Sequence, residues 1–381
     1  MTTALLKRLY VPVASLVFLI LLGDWAVDKG VRSDPYAAAN AAAQAQLAAQ
    51  REESGSADAL QFLFLGNSQA FTIQDPRPGD LTTPQWMQIL LSGDESASRP
   101  AVKIYMGSEP NLTMTEVIVR LLANSESTPR RADALILQLV LDGFRMQGVR
   151  GSVLNEARDV PVRAALNNVL QQNKDLGYGA VALAPAIASP VSASKSRNRN
   201  PWEALFASAG DQIEAFAERW QVFAFRDKLR VQTANTYMHY RNALLRISSS
   251  STRPIVETTY RANLELFEMI LQYGKARNIP VAVYLAPVRP LQPNPLRPED
   301  VARFRRDTSE ICKRLQALCV DLIDAVPEQY WTNYPDNNPE AAGQPDFAHF
   351  TGAAHKKIAE ELSTAIRPSL PRWARDRQKQ P

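Results

Sequence analysis

The chain has 381 residues, 45% of them hydrophobic, with 43 Lys and Arg against 39 Asp and Glu for a formal charge of +4. That apolar content excludes a disordered chain and suffices for one large core or two modest ones. The segment from Arg367 to Pro381, with five Lys or Arg and one Asp, accounts for the whole excess, so the rest is balanced and the charge argues against a nucleic-acid partner.

The N-terminal part holds the one strongly apolar run, Leu9 to Val27, interrupted by Pro12 and Gly23 and preceded by Lys7 and Arg8. Counted from Leu5, it reaches the length of about 20 residues that a helical span needs. The positive flank predicts an uncleaved single-pass anchor, with the N-terminus in the cytoplasm and the body outside. A cleaved signal peptide is the alternative, since Val11 to Leu22 has the length of its apolar core, but no small-x-small site follows directly. Residues 1–30 are read as the anchor, and 31–57, rich in Ala, Gln and Asn, as a spacer.

A folded domain is expected over 58–368. Gln61 to Leu65 predicts a buried parallel strand, and the Gly66-Asn67 that follows suits the positive φ of an abrupt strand exit. A helix over Thr83 to Leu91, with Pro84 in its first turn, leads to a second strand, Val102 to Met106, closed by Gly107. Thr113 to Ala123 reads as a helix and Ala134 to Leu141 as a third, almost fully apolar strand. The alternation then stops. Residues 143–256 read as a helical insertion, with helices at Val160 to Gln172 and Pro201 to Arg230. The second carries Leu205, Phe206, Ile213, Phe216, Trp220 and Phe223 at helical spacing, an aromatic stripe that reads as core. This insertion is expected to overhang the strand ends as a lid or partner surface, with Ala180 to Ser196 as a mobile loop.

Alternation resumes with a helix from Glu257 to Asn278, a strand at Val281 to Leu285, a helix from Pro298 to Leu318 and a strand at Val320 to Ile323. A last helix runs from Gly352 to about Leu362. Short buried strands separated by helices predict an α/β fold with a doubly wound, five-stranded parallel sheet. Residues 369–381 form a basic tail, either solvated or touching anionic lipid or polymer. Cys312 and Cys319 are the two cysteines; in an exported domain they pair, and the alternative is two reduced, buried thiols. The three histidines, His239, His349 and His355, have no acidic cluster around them, so neither a metal site nor a cofactor is expected.

Ser68 falls where the carboxyl end of the first strand opens, the edge at which open α/β sheets bind ligands. Alone, Asn67 and Ser68 mean no more than a turn. Far downstream stands Asp346-Phe347-Ala348-His349, with Asp and His three apart before the last helix. A serine after the first strand together with this Asp-x-x-His resembles the SGNH (GDSL-like) hydrolase superfamily, from Asp58 to about Pro368. The resemblance implies Ser68 as nucleophile, His349 as its base and Asp346 as the orienter. It also implies an oxyanion held by the backbone amides of Ser68 and Gly107.

The family's further donor, an Asn after the third strand, is missing here. Asp142 stands near that place, and an ionised carboxylate would repel an oxyanion; Asn67 is either a substitute donor or a residue that shapes the turn. His355, six residues past His349, is expected to face another way, solvated or capping. Arg289, after the fourth strand, either holds an anionic substrate group or has no role. Within the superfamily, an anchor, an outward domain and a helical insertion are similar to exported acyl-transfer proteins. These include the D-alanyl transfer protein of teichoic acid modification and partners of membrane-bound O-acyltransferases. Such a resemblance implies acyl transfer to, or ester hydrolysis on, a cell-envelope polysaccharide or polymer. The alternative is a degenerate scaffold that binds glycan or positions the membrane enzyme.

Overall fold

A computed structural model describes residues 59–92, 101–126, 132–188, 248–334 and 343–378. The run Leu5 to Val27, the spacer, the helix at Pro201 to Arg230 and His239 lie outside these residues. Among the described residues no helix is long and apolar enough to cross a membrane.

Five strands, β1 (Leu60–Leu65), β2 (Val102–Met106), β3 (Ala134–Leu139), β4 (Val281–Leu285) and β5 (Leu318–Asp321), form one sheet in the order β2-β1-β3-β4-β5. Every pairing in it is parallel. Such a sheet is buried on both faces, which is why its strands read as continuous apolar runs. The pleat sends Phe62 and Phe64 of β1 to one face and Leu63 and Leu65 to the other.

On the first face pack α1 (Thr83–Ser92), α8 (Gly352–Ile366) and α9 (Leu370–Gln378), through Met87, Leu91, Ile358, Leu362 and Trp373. The second face is covered by α2 (Met114–Glu126), α6 (Glu257–Ala276) and α7 (Pro298–Leu315), through Ile118, Phe267, Ile270 and Phe304. The chain leaves β1 toward β2 and returns across it to β3, so the strand order reverses between β1 and β3. At such a point the flanking connections diverge and leave a crevice at the carboxyl ends.

Several expectations need correction. The described part of the insertion forms α3 (Gly151–Ala157), α4 (Val160–Gln172) and α5 (Gly177–Ala188). Val153, Val162, Leu166, Leu183 and Ala186 bury in the same core as α2 and α6, so this part is a packed layer and not an overhanging lid. Residues 180–188 are helical despite Pro185, and the loop expected there does not begin before residue 189. The described part of the basic tail, up to residue 378, belongs to the fold: Trp373 is 3% exposed, and its ring lies 5.6 Å from that of Phe62. Arg377 donates to the Ala59 carbonyl at 2.8 Å.

The helix α7 ends sooner than expected because Gln316 adopts a left-handed conformation, φ 59°, as its C-cap. Across this end, Cys312 in the last turn of α7 and Cys319 on β5 form a disulfide with their Cα atoms 6.2 Å apart. A further element was absent from the sequence reading: β6 (Trp331–Asn333) and β7 (Pro345–Phe350) pair antiparallel as a separate two-stranded sheet.

Candidate active site

Ser68 opens a single 3-10 turn, Ser68–Ala70, directly after β1. Asn67 caps this turn, its Oδ1 accepting the Gln69 N–H at 3.0 Å. The expected positive φ at Gly66 is not found; among the described residues the glycines in that region are Gly79, Gly148 and Gly343. Glycine is required at 66 for another reason. A Cβ there would lie 2.5 Å from Gln138 Oε1 and 2.9 Å from Gln138 Cβ.

Gln138, 5% exposed on β3, uses that close approach to accept the Asn67 N–H at 2.9 Å. Its Nε2 donates to Gln69 Oε1 at 3.3 Å, and Gln69 Nε2 donates to the Pro287 carbonyl at 3.0 Å. A chain of buried amides therefore ties the serine turn to the carboxyl ends of β3 and β4. Buried polar groups that satisfy one another rigidify what they hold.

The second arm of the site is a bulge. Between the pairs Trp331–Phe350 and Asn333–Pro345, β6 advances two residues while β7 advances five. The excess is thrown out as the stretch 346–349. Asp346 shapes it, its Oδ1 accepting the N–H groups of Ala348 at 2.8 Å and His349 at 3.1 Å. This turn lets two side chains three residues apart meet, which a regular strand would point to opposite faces.

The two arms converge. Ser68 Oγ lies 2.9 Å from His349 Nε2, and His349 Nδ1 lies 2.9 Å from Asp346 Oδ2. The Asp346 side chain is fully buried, and His349 is 18% exposed. Gln74 Nε2 also donates to Asp346 Oδ2, at 2.7 Å. Burial works to raise the Asp346 carboxyl, but hydrogen bonds from His349, Ala348 and Gln74 outweigh it and hold the group below its ordinary range. Tyr334 lies close to this carboxylate; burial first, then the charge of Asp346, push its hydroxyl well above the usual phenol range, with Arg253 opposing.

The oxyanion donors differ from expectation. The Gly107 N–H is spent in the sheet, donating to the Phe64 carbonyl at 2.9 Å, so it is not free to hold an oxyanion. Among the described residues neither the Ser68 N–H nor the Asn67 Nδ2 has a protein partner. Asp142 is ion-paired, to Arg145 at 2.5 Å and Arg253 at 2.9 Å, which offsets the repulsion expected of it.

One further reading fails, and of two alternatives for His355 the structure selects capping, its Nδ1 accepting the Thr83 N–H at 3.1 Å. Arg289 is 6% exposed, not a free edge cation: it donates to the Thr332 carbonyl at 2.6 Å and the Asp346 carbonyl at 3.0 Å, and pairs with Glu328 at 2.5 Å. It clamps the bulge that carries Asp346 and His349. His355 is wholly buried rather than solvated, and burial pushes its imidazole down to about 4.

Gln69, Gln74, Gln138 and Tyr334 escaped the sequence reading. Gln138 had a legible signal, an amide inside the otherwise apolar strand Ala134–Leu139. Among the described residues no group of three His, Cys, Asp or Glu is placed to hold a metal ion. No protein-family model matches the chain, and no curated protein matches it.

Proposed function

We propose that the chain is a serine-dependent acyltransferase or esterase of the SGNH type, with a doubly wound domain held at the outer face of a bacterial inner membrane by the run Leu5 to Val27. The observation that carries this reading is the unbroken relay of 2.9 Å contacts from Ser68 Oγ through His349 to the buried Asp346. In it, the Asp346 carboxylate receives the His349 Nδ1–H, which leaves Nε2 as the base. Ser68 Oγ attacks the ester carbonyl as its proton passes to Nε2, and Asp346 stabilises the imidazolium that forms. The Ser68 N–H and the Asn67 amide group receive the developing oxyanion. The imidazolium then returns its proton to the departing alkoxide. A water or a sugar hydroxyl, deprotonated in turn by His349, releases the acyl group.

By resemblance, the acceptor is a cell-envelope polysaccharide or polymer, and the partner is a membrane-bound O-acyltransferase that passes acyl groups outward. A scaffold that only binds glycan is the second reading; the Gly107 amide, spent on Phe64, is what favours it.

Turnover of p-nitrophenyl acetate tests the choice. Ser68→Ala and His349→Ala should each lower kcat by about 10³-fold or more, and the double variant should be little worse than either, because residues that act as one unit are non-additive. Undiminished turnover by Ser68→Ala removes the serine mechanism. No turnover by the wild type on any activated ester favours the scaffold.

A further inference from the structure

His355 is fully buried on α8, six residues after His349, and the triad makes no use of it. Its Nδ1 faces the Thr83 N–H at 3.1 Å and the Thr83 hydroxyl at 2.9 Å, while its Nε2 faces the Thr72 carbonyl at 3.2 Å. A backbone N–H can only donate and a carbonyl can only accept. Nδ1 therefore carries the lone pair and Nε2 the proton. The Phe350 ring, 4.7 Å away and edge-on, packs against the imidazole.

Thr72 is tied to the nucleophile. Its N–H donates to the Ser68 carbonyl at 2.8 Å. Two residues on, the Gln74 N–H donates to the Phe350 carbonyl at 3.1 Å, and the Gln74 side chain donates to Asp346 at 2.7 Å. The stretch 72–74 is thus a strap, bonded at one end to the serine turn and at the other to the arm that carries the base.

We propose that His355 is a positioning residue for Ser68: its Nε2–H, acting through the Thr72 peptide, sets the separation between Ser68 Oγ and His349 Nε2. This rests on the serine reading above. Both reacting groups then hang from one element, since His349 enters just ahead of α8 and the serine turn is pinned to the first turn of that helix. Attack geometry is steep in distance, and a displacement of about 1 Å from a remote change can cost about 10²-fold in rate. His355 also caps α1 by accepting an N–H at the start of that helix, so a test must separate holding the fold from holding the nucleophile.

Two isosteric substitutions do so. The amide nitrogen of Gln reaches the place of Nε2, and the amide oxygen of Asn reaches the place of Nδ1. H355Q keeps the donor to Thr72, whereas H355N keeps an acceptor for Thr83 and loses that donor. With p-nitrophenyl acetate, and rates taken per folded molecule from melting curves, H355N should lose about tenfold or more in kcat with KM little changed, and H355Q should stay within about threefold of wild type. Equal kcat in the two variants, or raw losses in both that vanish once divided by the folded fraction, would overturn the positioning role and leave a helix cap.

Ser68→Ala, measured beside them, separates the two claims. Activity that survives it refutes the serine reading, while a dead Ser68→Ala with equal His355 variants refutes the positioning alone. Should H355N not fold, 15N spectra of histidine-labelled wild type decide: a neutral ring protonated at Nε2 is required, and a ring protonated at Nδ1 would overturn the proposal because it has nothing to donate to Thr72.

Discussion

Asp346 on β7 and His355 on α8 respond to acid in different ways. His355 is buried neutral, and desolvation, with a smaller push from His349, lowers its pKa from 6.5 to about 4 against the opposing Thr72 hydrogen bond and, more weakly, the Asp80 charge. The unfolded chain takes up this proton near pH 6.5 and the folded chain refuses it until about pH 4, so stability falls as pH drops through that window. The whole shift is worth about 3 kcal/mol. For Asp346 the folded pKa lies below the ordinary 3.8, so its contribution is present above that value and is lost only as pH falls further, through the folded value. Urea midpoints measured from pH 7 to pH 4 should therefore decline in wild type and decline much less in H355Q. A flat wild-type profile across that range would mean that His355 is not buried neutral.

At the level of elements, the strands of the parallel sheet were legible, β5 two residues out of place, while β6, β7 and the machinery they carry were not. The predicted bounds of β2, β4 and α4 match the observed ones, because a run of buried apolars or an amphipathic stripe leaves few alternatives. Gly66 was legible as special but for the wrong cause: a glycine forced by a neighbour's side chain looks in sequence like one that needs positive φ. The bulge at 346–349 was not legible, since it depends on where Trp331 pairs with Phe350, a long-range fact that no local pattern carries. Arg289 was misplaced for the same reason, its partners Glu328, Thr332 and Asp346 being far along the chain.

The C-terminal helix shows how composition misleads. Its charges read as a solvated tail, yet Leu370 and Trp373 anchor it in the core beneath β1. Trp373→Ala should cost about 3–5 kcal/mol, visible as a clear drop in Tm, because a buried aromatic leaves a cavity that its surroundings fill incompletely. A Tm unchanged by this substitution would return the segment to the surface.

For the whole molecule, the parallel sheet serves as a platform whose crevice between β1 and β3 receives the serine turn, while the small β6–β7 sheet delivers His349 and Asp346 from the side. The two arms come from opposite ends of the chain, so the relay forms only in the folded state. Its central claim is that Ser68 is a nucleophile activated by His349. Reaction with a fluorophosphonate, followed by intact mass and peptide mapping, tests this without knowledge of the natural acyl group or acceptor. The account predicts a single adduct on Ser68, absent from Ser68→Ala and formed far more slowly by His349→Ala; no adduct on the folded wild type, or one that persists in Ser68→Ala, would contradict it.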